Sequence, residues 1–236
     1  MPSSFALLDA ELPGGGWPRR VLSELLLPHP GVGEIRLLAP ALVAAQRSGR
    51  LVMVFDPPAA LSAAALAALG FDLAELLVVH TRSRAGRDRW CLAPLAAPRG
   101  GVSGPGARRP DGSDSLWALE QALKSGHVGA IVAWLPPRLR TERLRRLQLA
   151  AHQHDGVAFV VREAAAAVRP TAAPLRLSLQ AGGADRLLVR VLKRRGPPLD
   201  KPLQLALPTV LSGAARRRSA SERNASLHGA TFIQFA

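Results

Sequence analysis

The chain has 236 residues, which suits one α/β domain with tails, or at most two small domains. Its apolar fraction of 48% is sufficient for a sizeable core and argues against wholesale disorder. The net charge is +14, from 31 Lys and Arg against 17 Asp and Glu. Such an excess indicates an anionic partner, which can be nucleic acid, a membrane surface or an acidic protein face.

The single cysteine excludes an internal disulfide and any metal site built from several cysteines, so we predict a cytoplasmic protein. The N-terminus lacks a basic start followed by a long apolar run, so we predict no signal peptide. No stretch of about 18 uncharged apolar residues occurs, which predicts no membrane span. His152 and His154 lie too close together at a helix end to bind one metal well, and we predict no metal site.

Apolar segments alternate with Ala/Leu-rich periodic segments, which predicts strands alternating with helices. In chain order we predict a strand at 21–27, a helix at 34–48, a strand at 51–56, a helix at 59–69, a strand at 76–80, a helix at 115–125, a strand at 128–134, a helix at 140–152 and a strand at 157–161. Segments 175–179 and 187–192 alternate in a way that suits a hairpin near the sheet edge. The pattern predicts an α/β domain over residues 1–208, with a mostly parallel sheet and helices on both faces.

Two segments depart from this pattern. Residues 82–114 are rich in Arg, Gly and Pro and have little periodicity, which predicts a mobile basic insertion. Residues 209–236 are rich in Ser, Arg and Ala, which predicts a disordered tail.

The loop at residues 28–33 lies between the first predicted strand and its helix, where parallel sheets bind ligands. A phosphate loop needs glycines, a Lys for the β and γ phosphates and a Ser or Thr for Mg²⁺. Gly31 and Gly33 are present, but Glu34 occupies the Lys position and Ile35 the next. A carboxylate repels phosphate and isoleucine cannot bind Mg²⁺. We therefore predict a degenerate, structural phosphate loop that binds no cofactor.

A nucleotidase would need two further acids at strand ends. Asp56 ends the second strand, and we interpret it as a helix-capping or turn-forming residue, with a solitary strand-end acid as the alternative. The fourth strand ends in Ala133, Trp134 and Leu135, so it offers no metal-associated acid. The residues together predict a protein that is not an enzyme.

The order of these elements resembles the ATPase core of RecA-like proteins. The segment LDAELPGGGWPRRVLSELLLPHPGVGE is similar to the entry to that core, with its Gly-rich turn, a strand bearing an acid (here Glu24) and the phosphate loop. The resemblance places Pro58 at the catalytic glutamate, Trp134 at the metal-associated aspartate and Glu163 near the glutamine sensor. Within the superfamily, the phrases LPGGGWPRR, SELLLPHPGVGEIRLLAPAL, ALEQALKSG, RLRRLQLAAH and LLVRVLKRRGPP resemble the ImuA family, over roughly residues 8–208.

The resemblance implies a non-catalytic accessory protein of SOS-induced translesion DNA synthesis. Its expected partners are ImuB, an inactive relative of Y-family polymerases, and an error-prone replicative-type polymerase, while RecA and DNA stay open as further partners. Two alternatives remain: a SulA-like cell-division inhibitor that binds FtsZ, since SulA has a similar degenerate core, and an active RecA-like ATPase.

A basic cluster, defined as Lys193, Arg194 and Arg195, follows the last predicted strand. An alternating strand can end a sheet and present the three cations at a fixed point. The entropic cost of ordering them when a partner binds is then smaller. We predict that this cluster binds a partner protein or, through phosphate contacts, DNA. The alternative is an ordinary solvated basic surface.

Overall fold

The computed structural model describes residues 1–81, 113–136, 139–197, 199 and 201–210. The described helices are α1 (Ala6–Asp9), α2 (Glu34–Arg47), α3 (Ala63–Ala68), α4 (Ser113–Lys124) and α5 (Thr141–Ala151), and a 3-10 helix spans Ala164–Val168. The described strands are β1 (Leu22–Leu27), β2 (Leu51–Phe55), β3 (Leu76–Val79), β4 (Val128–Trp134), β5 (Val157–Glu163), β6 (Leu175–Ala181), β7 (Arg186–Lys193) and β8 (Leu203–Ala206).

All these strands form one sheet in the order β3-β2-β4-β5-β1-β6-β7-β8. The strands from β3 through β6 in this order pair in parallel, and β7 and β8 add antiparallel to the end. The first strand therefore lies inside the sheet between β5 and β6, where its residues are all buried. The predicted α/β class with a mostly parallel sheet is confirmed.

Each face of the sheet carries its own hydrophobic core. On one face, Leu37 and Leu38 of α2 pack with Leu8 of α1 and Leu66 of α3. On the other face, a separate core joins α4 and α5 to the sheet through residues such as Leu144. Burial of this aliphatic surface is the dominant stabilising contribution to such a sheet. The prediction of helices on both faces is confirmed.

Several predicted boundaries differ from the structure. The helix predicted at 59–69 is limited to α3, because Ser62 caps its first turn by accepting a hydrogen bond from the Ala65 amide. The helix predicted at 115–125 begins at Ser113. The predicted mobility of residues 82–114 falls almost wholly outside the described residues, as does that of the tail beyond residue 210.

The predicted hairpin near the sheet edge is confirmed as β6 and β7, which lie one strand in from that edge. Strand β6 pairs with β1, and the edge is formed by β8, which the sequence pattern did not predict. The four residues of β8 follow a Pro- and Lys-containing connection and are too few to show clear alternation. In the part of the chain that the structure describes, no helix has the length and apolar character needed to cross a membrane.

Candidate functional site

Residues 28–33, which the sequence predicts to be a degenerate phosphate loop, join β1 to α2 beside the central strands. Gly31 has φ 85° and Gly33 has φ 120°, both in the left-handed region that disfavours side chains. Turns of this kind bring backbone N–H groups together in a concave site suited to an anion. The loop thus has a backbone form that suits an anion.

Glu34 fills this concave site with its own carboxylate. The Gly31 amide donates to Oε1 at 2.9 Å and to Oε2 at 3.2 Å, and the Gly33 amide donates to Oε2 at 3.1 Å. The Glu34 residue is buried, at 4% exposure, in the first turn of α2. A carboxylate is favourable there, because the helix N-terminus carries partial positive charge. That Glu34 repels phosphate stays a prediction; in the structure its carboxylate accepts hydrogen bonds from the Gly31 and Gly33 amides, which face into the loop.

The C-terminal segment of the described chain closes the loop from one side. A Cβ placed on Gly33 would lie 2.5 Å from Cδ1 of Leu207, which follows β8. Arg36 Nη1 donates to Asp185 Oδ1 at 2.7 Å and to the Pro208 carbonyl at 3.3 Å. These partners are 149 and 172 positions away from Arg36, so no local sequence signal could have revealed them.

Ile35 and Trp134, at two of the positions that the RecA resemblance assigns to a nucleotide site, are apolar side chains. Ile35 is partly buried and packs against the core on the α2 face. Trp134 is 4% exposed at the end of β4. Among the described residues, no three His, Cys, Asp or Glu side chains form a group that could hold a metal ion.

Asp56 has a role that neither interpretation of the sequence described fully. It is buried at the end of β2 with φ 47°, and it accepts hydrogen bonds from the Thr81 amide at 2.8 Å and the Thr81 hydroxyl at 2.6 Å. The Ser115 hydroxyl donates to the same carboxylate at 2.8 Å. The helix cap expected of Asp56 is supplied by Ser62 instead. Asp56 therefore joins the end of β2 to the chain after β3 and to α4.

Glu24, the acid that the RecA resemblance places in the first strand, forms a buried ion cluster. It is 0% exposed and contacts Arg162 of β5 at 2.9 Å and Arg176 of β6 at 2.9 Å. Arg176 also donates to the carbonyls of Ala166 and Ala167 in the 3-10 helix, at 2.8 and 3.0 Å. Since the cluster is enclosed, it ties three adjacent strands together and offers no open ligand site.

The structure does not present the basic cluster as three equivalent cations. Lys193 and Arg195 are exposed, and Lys193 Nζ donates to the Thr171 carbonyl at 3.1 Å. Arg194 is turned towards the protein, where its Nη1 lies 2.6 Å from Glu11 Oε2. The binding role of the basic cluster stays a prediction, and Lys193 and Arg195 are its members that are exposed to an anionic partner.

The chain was also compared with known proteins. No family model matches it. A stretch of 38 residues is 45% identical to the cell division inhibitor SulA of Edwardsiella piscicida. The matched stretch is 16% of this chain and 23% of that protein, so the likeness is local.

Proposed function

We propose that this chain is a non-catalytic accessory protein of the SOS response to DNA damage, built on a RecA-like core with an internally filled phosphate loop. The observation that carries the proposal is the Glu34 carboxylate, which accepts hydrogen bonds from the amides of Gly31 and Gly33. A loop whose amides already bind an internal anion would have to break those bonds before it could bind a nucleotide phosphate.

Two observations support the RecA-like and SOS parts of the proposal. The buried β1 leads through a two-glycine loop directly into α2, which is the arrangement of a phosphate-loop protein. The local identity to SulA supports a link to the SOS response, in which SulA inhibits cell division. Neither observation requires catalysis.

The finer proposal is that the chain bridges ImuB and an error-prone replicative-type polymerase, with RecA and DNA as further candidate partners. Exposed Lys193 and Arg195 at the end of β7 supply cations for one of these contacts. We expect Lys193→Glu combined with Arg195→Glu to abolish co-purification with ImuB and to lower damage-induced mutagenesis. If DNA is the partner, the double variant should bind every DNA sequence more weakly, and the affinity of the parent chain should decrease steeply as salt is added.

A matched control separates this contact from general charge effects. Arg19→Glu combined with Arg47→Glu changes the net charge equally at two exposed positions of other segments. The control variant is expected to behave like the parent chain in co-purification, DNA binding and mutagenesis. Parent-like behaviour of the Lys193/Arg195 variant in all three assays would exclude these cations from the binding role.

A second candidate function is inhibition of cell division through FtsZ, and the local identity to SulA favours it. Overexpression in undamaged cells distinguishes the two functions. Filamentation without DNA damage supports the SulA-like function, whereas a mutagenesis defect in cells that lack the protein supports the translesion function.

A further inference from the structure

A groove of about 360 Å³ lies between α5 and the segment that joins the 3-10 helix to β6. Its lining residues are Thr141, Arg145, Gln148, Leu149, Pro170, Thr171 and Ala172. Gln148 is buried, and its side-chain oxygen accepts a hydrogen bond from the Leu22 amide at 3.0 Å. This lining residue is thereby fixed to the start of the central strand β1.

The groove is lined by apolar side chains that remain fully or partly exposed to solvent. Leu149 is 60% exposed, whereas its helix already contributes Leu144 and Leu147 to the core at 2% and 1% exposure. Pro170 is also exposed, and Ala172 is partly exposed on the opposite side. Single exposed leucines are common, but several apolar side chains that line one concavity are typical of a binding groove.

Positively charged side chains lie beside these apolar residues. Arg145 lines the groove and is exposed, and Arg169 is exposed immediately before Pro170. Lys193 reaches the groove from β7, since its Nζ donates to the carbonyl of the lining residue Thr171 at 3.1 Å. The set of lining residues contains no acid and no aromatic side chain. The nearby carboxylate of Glu142 is on α5 next to Thr141 but is not part of the lining.

We propose that this groove binds an acidic, leucine-bearing segment of a partner protein. Leucines of the segment would bury Leu149 and Pro170, and its carboxylates would pair with Arg145 and Lys193. The inference rests on the proposed accessory function, which requires a protein partner, and it specifies the chemistry of that partner. Single-stranded nucleic acid is a poorer match, because its binding sites usually supply aromatic side chains on which bases stack, and the groove lining contains none.

The test starts from random peptides of about 12 residues displayed on phage, a length typical of groove-binding segments. Peptides selected on the full-length chain are labelled, and their affinities are measured by fluorescence polarisation. We expect the selected peptides to combine leucine with Asp or Glu. Leu149→Glu and Arg145→Glu are each expected to weaken binding by about tenfold, the effect of removing a central contact.

Two matched variants control for added charge. Leu7→Glu changes a leucine that is also 60% exposed but lies on α1, and Arg47→Glu reverses an exposed arginine of α2. Both are expected to bind the peptides like the parent chain. The proposal is overturned if the selected peptides are basic or lack leucine, or if all four variants bind alike.

DNA binding by the parent and variant chains is measured with a duplex probe and with a single-stranded probe. DNA binding that Arg145→Glu weakens and Leu149→Glu leaves unchanged would assign the groove to nucleic acid and overturn the proposal. The proposed groove and the proposed accessory function can be refuted separately. Peptide binding outside the groove, together with intact co-purification with ImuB, would overturn the groove proposal and leave the accessory function standing.

Discussion

Glu34 allows a direct test of whether the phosphate loop is filled from within. Glu34→Ala removes the acceptor for the amides of Gly31 and Gly33. Gly31 is exposed, so water can replace the carboxylate there, whereas Gly33 is buried and its amide is left without that acceptor. An unsatisfied buried amide costs about 1–3 kcal/mol, and the lost helix-terminus interaction adds about 0.3–1 kcal/mol. We therefore expect the free energy of unfolding to fall by about 2–3 kcal/mol.

The assay is urea unfolding of the parent and variant chains, with and without sulfate. Sulfate that binds the vacated amides at about ten times its dissociation constant would restore about 1.4 kcal/mol in Glu34→Ala and nothing in the parent. Glu142→Ala, in the exposed first turn of α5, controls for the helix-terminus charge alone and should show no sulfate response. Parent-like stability of Glu34→Ala together with no response to sulfate would refute the reasoning.

Three further predictions concern the stability of the folded chain. Gly33→Val forces a branched side chain into φ 120° and against Leu207, so we expect a loss of at least about 2 kcal/mol in urea unfolding; an unchanged midpoint would contradict this. Glu24→Gln leaves two buried guanidinium groups without their carboxylate, which should cost about 3–5 kcal/mol and lower the melting temperature, and a parent-like melt would disprove it. Burial lowers the pKa of His154, so the unfolded chain binds the proton more readily than the folded chain does. The free energy of unfolding should therefore be constant above about pH 6.5 and decrease below it, by up to about 1.4 kcal/mol per pH unit. In a series of unfolding curves at different pH, His154→Gln should make this decrease smaller.

The fold was predictable because its signals are local. Runs such as residues 128–134 are continuously apolar, and the matching β4 is buried along its whole length. Helices α2 and α5 were predictable because their apolar residues are spaced so that they lie on one face of the helix. Strand β8 could not be predicted in this way, because its four residues show too little alternation and its pairing with β7 depends on the whole hairpin.

The candidate site was predictable only in part. Residue types alone indicated that Glu34 and Ile35 do not suit a nucleotide. They did not indicate that Glu34 bonds to the loop itself, since the direction of a side chain depends on the fold. The contact of Gly33 with Leu207 and the ion pair of Arg36 with Asp185 join segments far apart in sequence, and they became visible only in three dimensions.

Binding and hydrolysis of radiolabelled ATP by the purified chain, with Mg²⁺ present, test the central claim most directly. Because the carboxylate of Glu34 already holds the loop amides, we predict neither nucleotide binding nor hydrolysis above background. Magnesium-dependent hydrolysis that disappears in a folded Gly33→Val variant would contradict the account and show that the loop is a working nucleotide site.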